Sequence, residues 1–427
     1  MRNRRSKREK KHTKLHVTNF PRFFVSIIII ITLLFFILLG GKFIFNKISN
    51  NLTSPNTNND YSSLENNNSS DNNSPEESTK KMENITANIA FTGDIMSHNT
   101  MIKDAYDSTS GTYDYSHYFT NIKYYLQTPD LTVGNLETTF AGNSVGYSGY
   151  PTFNTPEILA KNLKKVGFDV VSTANNHCMD KKYSGLESTI KYLDEADLSH
   201  TGTYISEESQ NTILIKNVKG IKIAFVSFTY GTNGIPVPTD KKYAVNFLDD
   251  ETILKQVNLA KEQNPDLICA LVHWGNEYQT TPNSSQKQIA NLLIDNGVNL
   301  IIGNHPHVPQ PLVLTKNSNN KDVFIAYSLG NFMADQNKAY TRDSLILNLT
   351  ITKNGETNDI TIDKYDYTPI YTYKNTSQKT KAFSILDIKS VIESYDAGYD
   401  TSIGQNMYTK LKTELQNIKD IVGKEVK

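Results

Sequence analysis

The chain has 427 residues, 38% of them apolar, with 44 Lys/Arg against 44 Asp/Glu and two cysteines. That apolar content supports a packed core and excludes a wholly disordered chain, and two cysteines are too few for a disulfide scaffold. The formal charge of zero hides a division: residues 1–50 hold 11 basic residues and one acid, Glu9, which leaves 33 basic and 43 acidic residues, a net −10, for the remainder.

Residues 1–22 are expected as a cytoplasmic basic tail and 23–45 as a transmembrane anchor. The anchor opens with FFVSIIIIITLLFFILLGG, an uncharged run of about the 20 residues that cross a bilayer. Eight Lys/Arg from Arg2 to Lys14 precede it and hold the N-terminus inside, where they also meet anionic lipid. The expectation is a single-pass protein of the cell membrane with its C-terminal domain outside. A cleaved signal peptide is the rival reading, but the run is long for one and Lys42-Phe43-Ile44-Phe45 offers no small-x-small cleavage site. Residues 46–84, as in SLENNNSSDNNSPEES, have almost nothing to bury and read as a disordered linker.

From Ile85 to residue 375, apolar strand-like runs (ANIAFTGD, DLTVGNLE, FDVVSTANNH, IKIAFVSFTY, DLICALVHWG, NLIIGNHPH, DVFIAYSLGNF) alternate with helical patterns (TPEILAKNLKKVG, SGLESTIKYLDEADL, DDETILKQVNLAKEQN, SSQKQIANLLIDNGV). Such alternation predicts an α/β domain whose sheets are covered by helices. Hairpins turning near Lys219-Gly220 and at Asn354-Gly355 make the sheets mixed. Cys178 and Cys269 sit in or beside apolar runs and read as buried small hydrophobes rather than a bridge. Residues 376–427 carry weaker helical patterning, as in MYTKLKTELQNIKDIV, and read as a helical appendage.

The apolar runs end in polar residues of the same kinds: Asp94, with His98 four residues on; Asn135 and Glu137; Asn175, Asn176 and His177; His273 and Glu277; His305 and His307; Asn331. Ligands of α/β folds collect beyond the carboxyl ends of strands, so these residues are expected to converge. Carboxylates, amides and imidazoles without a thiolate cluster suit a divalent cation such as Mn²⁺, Zn²⁺ or Fe, as one ion or two. His305 and His307 fit if they are i and i+2 of an extended segment and face the same way. The competing structural readings are a turn cap for Asp94, a salt-bridge partner for Glu137, side-chain-bonded turns for Asn175 and Asn176, and unplaced loops for His98 and Glu277.

In this order, FTGDIMSH, GNLETTF, STANNHCMD, VHWGNEY, IIGNHPHVPQP and YSLGNF resemble the signature blocks of the bacterial capsule synthesis protein CapA family, implicated in poly-γ-glutamate capsule production. That family is in turn similar to the calcineurin-like metallophosphoesterases. The resemblance implies a four-layer α/β/β/α sandwich with a two-metal site, here preceded by one transmembrane helix. It assigns metal ligation to Asp94, Asn176, His273, His305 and His307, and gives His177 the catalytic role of protonating a leaving group. Asp-x-His of the hydrolases becomes Asp94-Ile95-Met96, Glu137 replaces their bridging aspartate, and Asn304 precedes His305, which implies that one metal position is weak or absent. Asn135, Asn175, Asn331, His98 and Glu277 remain accessory candidates.

Three functions stay open: a membrane-anchored protein that makes, exports or attaches poly-γ-glutamate or a related anionic polymer; a metal-dependent ecto-phosphoesterase of small phosphate esters; and a metal-free polymer-binding module. A Walker-type phosphate loop is missing, so ATP-driven polymerisation calls for membrane-bound synthase subunits as partners. Basic residues cluster before the span, so no nucleic-acid partner is expected.

Overall fold

The computed structural model describes residues 82–426. The basic tail, the anchor and nearly all of the linker expected for residues 1–84 lie outside the described residues. Among those described, no helix is long and apolar enough to cross a membrane.

Sixteen strands form the frame: β1 (Ile85–Ile95), β2 (Tyr106–Asp107), β3 (Thr112–Tyr113), β4 (Leu131–Leu136), β5 (Val170–Ser172), β6 (Ser199–Thr201), β7 (Leu214–Val218), β8 (Ile221–Thr229), β9 (Leu267–His273), β10 (Leu300–Asn304), β11 (Leu312–Lys316), β12 (Asp322–Ala326), β13 (Asn331–Met333), β14 (Asp343–Lys353), β15 (Ile360–Lys374) and β16 (Phe383–Asp387). Among the described residues, one sheet runs β16-β15-β14-β1-β4-β5-β6, with β13 also pairing β1; a second runs β11-β12-β10-β9-β8-β7, and β2 and β3 pair only with each other. Both are mixed: β1, β4, β5 and β6 are parallel neighbours, as are β8, β9, β10 and β12, while the hairpins β7-β8 and β14-β15 are antiparallel.

The strands are apolar on both faces because both faces are buried. Along β9, Leu267, Cys269 and Leu271 enter a core shared by the two sheets, while Ile268, Ala270 and Val272 pack with helices Asp250–Glu262 and Ser284–Asp295. Likewise Ala87, Ile89 and Phe91 of β1 point between the sheets, and Ala90 joins a third core with helices Asn99–Ala105, Lys123–Gln127, Ile158–Val166 and Lys182–Glu195. Three cores therefore separate four layers, helix, sheet, sheet and helix. Cys178 and Cys269 are free and buried, in different apolar clusters.

Several expectations change. The run DVFIAYSLGNF is two strands in different sheets: after β12 the chain turns at Gly330, φ 78°, and enters β13 beside β1. The Asn354-Gly355 hairpin closes through a longer loop, since the ladder ends at Lys353 opposite Ile360 and the Asn354 N–H reaches the Asp359 carbonyl. Helix Ser284–Asp295 is capped by Asn283, in a reciprocal box with Gln286, rather than by serine. Residues 376–427 are more than a helical appendage. β16 extends the first sheet, Asp387 caps helix Ile388–Asp396 through the N–H groups of Lys389 and Ser390, and Leu411, Ile418 and Val422 of helix Gly404–Val422 enter the inter-sheet core. A stripe of apolar residues on a helix needs a partner surface, and the sheet supplies it.

Candidate metal centre

The carboxyl ends of the two parallel strand sets meet, and register fixes which residues face each other. Asp94 of β1 stands opposite Asn135 of β4 and Asn331 of β13, and His273 of β9 opposite Asn304 of β10. Two glycines allow the approach. A Cβ on Gly93 would lie 1.8 Å from the Gly330 carbonyl oxygen, and one on Gly303 would lie 2.1 Å from that of Tyr327. Trp274 packs as a wall here, its indole N–H donating to Tyr327 O at 2.9 Å.

Asp94 is the hub. Its Oδ1 accepts from Asn135 Nδ2 at 2.8 Å, and its Oδ2 lies 3.1 Å from His307 Nδ1 and accepts the His305 backbone N–H at 3.3 Å. Asn135 also lies 3.3 Å from His273 Nδ1, and Ser172 donates to its Oδ1 at 2.7 Å. The second ring nitrogen of His273, Nε2, meets Asn176 Oδ1 at 2.8 Å. Asn331 Oδ1 lies 3.0 Å from His307 Nδ1. Each amide therefore orients a group of the cluster.

His305 and His307 converge for a reason other than the expected one. β10 ends at Asn304, and the two histidines have φ of 98° and 60°, so they belong to a left-handed turn around Pro306 rather than an extended segment. Non-glycine residues rarely adopt this backbone, and such strain gathers where function requires a geometry. The turn brings the imidazole centroids to 5.8 Å, with His305 also 4.9 Å from His273.

Glu137 is wholly buried, yet neither carboxylate oxygen accepts a hydrogen bond; Asn304 Oδ1 and His305 Nδ1 are also buried without partners. Orphaned buried acceptors of this kind are costly unless something cationic completes them. Two groups have ligand atoms within 4.8 Å of one another, Glu137 with His273 and His305, and Asp94 with Glu137 and His307. Glu137 belongs to both groups, so its carboxylate would be shared by whatever they hold. An oxygen and nitrogen donor set without thiolate fits Mn²⁺, Zn²⁺ or Fe.

The surroundings shift these groups in opposite directions. Burial pushes Asp94 up, but the bond and charge of His307 outweigh it and hold the carboxyl at about 2. Burial and the adjacent Asp94 raise Glu137 well above its ordinary value. Burial lowers His273 to about 3 and His305 well below its usual range, leaving both neutral, the form that ligates metal. For His307, burial lowers the value but Glu137 and Asp94 raise it to about 9.

His177 lies beside this cluster rather than in either ligand group. Its Nδ1 is 2.7 Å from Asp180 Oδ2, which also accepts the Phe153 N–H at 2.6 Å, and its ring stands edge-on to Phe153. The contact with Asp180 engages Nδ1 and leaves Nε2 outside that pair. Asn175 takes its structural role, bonding Leu136 O and accepting the His177 N–H. His98 stands at the N-cap position of helix Asn99–Ala105 without a side-chain cap bond, accepts the Asp335 N–H at Nδ1 and is lowered to about 4 by burial. Glu277 is exposed and joins neither ligand group. Unforeseen members are Asp180, Asn233, which meets Asn176 at 3.2 Å, and Tyr230, whose ring lies 4.5 Å from that of His305. The three-residue spacing of His177 and Asp180 was the one local signal; the other two arrive by tertiary contact.

A family model described as bacterial capsule synthesis protein PGA_cap matches residues 88–336, which hold every proposed ligand. The chain belongs to that family. Relatives of this chain include the capsule biosynthesis protein CapA of Bacillus anthracis, 30% identical over 283 residues, covering 65% of this chain and 66% of the relative. The PGA biosynthesis protein CapA of Bacillus subtilis (strain 168) is 30% identical over 259 residues, 60% of this chain and 65% of the relative. The chain thus spans just under two thirds of the length of these curated relatives. Among solved structures, the calcineurin-like phosphoesterase YfkN from Bacillus subtilis is similar at 15% identity and TM-score 0.39, over 77% of this chain and 100% of that one.

Proposed function

We propose that this chain is a membrane-anchored, extracellular capsule synthesis protein that acts on poly-γ-glutamate or a related anionic polymer, in its synthesis, export or attachment, through a divalent-metal centre. The observation carrying the metal assignment is Glu137, a fully buried carboxylate with no donor that is shared by two ligand groups. The polymer comes from the two CapA relatives named for capsule and PGA biosynthesis. The anchor rests on the uncharged run after eight basic residues. Synthase subunits in the same membrane would supply the energy that this chain has no phosphate loop to harness.

A bound divalent ion would supply Lewis acidity and a nucleophilic water near neutral pH. Asp94, Glu137, Asn176, His273, His305 and His307 would hold it, and Asn135 and Asn331 would orient them. His177, fixed through Nδ1 by Asp180, has Nε2 to give or take a proton from bound substrate. That pair favours a second reading, hydrolysis of a phosphoester.

Metal content of the purified full chain, with binding of a γ-linked glutamate oligomer and turnover of a phosphoester panel, tests both. One or two ions with oligomer binding supports the polymer reading, and ester turnover lost in His177→Ala supports the hydrolase. A chain that takes up no ion while binding the oligomer sinks the metal centre and leaves a binding module.

A further inference from the structure

A polymer of carboxylates needs a cation at the mouth of the centre, because an outer chain of net negative charge repels it at long range. One lysine stands there uncompensated. The loop between β13 and β14 is clamped to the metal centre by Asn331, whose Nδ2 donates to Gln336 Oε1 at 3.0 Å and to Thr341 O at 2.9 Å while its Oδ1 faces His307. On and beside that loop, Arg342 and Lys374 share the single carboxylate of Asp335, at 2.6 and 3.0 Å. Lys338 has no carboxylate partner among the described residues. Its carbonyl accepts both the N–H and the hydroxyl of Thr341, which fixes its main chain, and its ammonium lies 3.8 Å from the ring centroid of Tyr278.

Tyr278 connects this ammonium to the centre. Its N–H donates at 2.8 Å to the carbonyl of Pro306, between the two histidines, and its ring centroid is 6.1 Å from that of His307. Its φ of 65° shows that the loop after β9 is turned to make this contact. A lysine over an aromatic face is attracted to the ring but spends none of its three N–H donors there. Those donors remain for an oxyanion. Tyr230, 47% exposed, lies against His305.

We propose that Lys338, held over Tyr278, is an oxyanion-recognition site at the entrance of the metal centre. Resting on the polymer reading above, it takes a carboxylate of a γ-linked glutamyl chain while the neighbouring unit lies at the centre. Phosphate of a small ester offers the same oxyanion chemistry, and the two sources are separable.

The test uses the full chain loaded with Mn²⁺ in detergent, as wild type, Lys338→Gln, Lys338→Glu and Lys338→Arg, titrated with a γ-linked glutamate oligomer and with inorganic phosphate at two salt concentrations. Lys338→Gln should weaken oligomer binding about five- to tenfold and flatten its salt dependence, Lys338→Glu should weaken it further, and Lys338→Arg should hold it within about twofold, with metal content unchanged throughout. Oligomer binding that is equal in all four proteins overturns the lysine site and leaves the polymer reading standing. Lys338-dependent binding of phosphate alone keeps the oxyanion site and overturns the polymer reading. Wild type that binds neither probe overturns both.

Discussion

Oε1 of Glu137 lies 3.6 Å from Nε2 of His273, inside a protein interior that offers the carboxylate no hydrogen-bond donor. A buried acid so placed is completed by a cation or carries its proton, and Glu137 is pushed toward the proton when no metal is present.

Glu137→Gln should therefore separate folding from metal binding. An amide replaces a protonated carboxyl at equal volume, so the metal-free variant should unfold within about 1 kcal/mol of the metal-free parent. The parent should gain about 2.7 kcal/mol when the ion is at a hundred times its dissociation constant. The variant should lose most of that gain, because both ligand groups share the missing charge. Denaturant titrations with and without Mn²⁺ measure the two differences; a variant with the parent's full metal-induced gain would refute the shared role.

Metal affinity should depend steeply on pH, with a sign set by the same residues. At neutral pH His307, raised to about 9, holds a proton, while His273 and His305 are already neutral. An ion that takes His307 as a ligand must displace that proton, so affinity should rise about tenfold per pH unit from about pH 6 to 8. Competition against a chelating dye across that range checks it. A flat profile would mean that His307 is not a ligand.

How much of this was legible in the sequence follows from burial. Strands β1, β4, β9 and β10 stand out because both faces are covered, which leaves a continuous apolar run, and the polar residues ending each run mark the site. Position along the chain says less about direction. His305 and His307 are two apart, yet a left-handed turn and not strand alternation brings them together, and nothing local announces it. One apolar run feeds two sheets at Gly330 because hydrophobicity does not specify which sheet receives a residue. The amphipathic C-terminal helix showed a stripe but not its partner, and the pairing of Lys338 with Tyr278 crosses some sixty residues, while Asn233 and Tyr230 likewise reach the site from distant positions in the chain.

Gly93→Ala should test the approach of β1 to Gly330. The added methyl would sit 1.8 Å from a backbone oxygen, which no rotamer relieves, so β13 would have to move away from β1 and carry Asn331 from His307. The expected loss is on the order of 3–5 kcal/mol, in the range of severe overpacking, together with weaker metal uptake. A variant of parental stability would show that the two strands pack less closely than this.

Asp343 gives the last prediction, away from the centre. It begins β14, is buried to 1% exposure, and faces Glu414 and Lys410 of helix Gly404–Val422; while both acids are ionised neither of its oxygens has a donor. Burial, with Glu414 adding to it, raises Asp343 to about 8. Folding then takes up a proton at any pH between the unfolded value of 3.8 and about 8, so this group's contribution falls as pH rises through that window and is level outside it. Asp343→Asn removes the dependence while keeping the shape. At pH about 8 the variant should be more stable than the parent by on the order of 1–3 kcal/mol, and the two should converge toward pH about 4. Urea unfolding at several pH values decides the matter. Parallel stability curves would show that the carboxyl is solvated by movement of the C-terminal helix, whereas converging curves would show that this helix is docked tightly enough to hold a proton at the sheet.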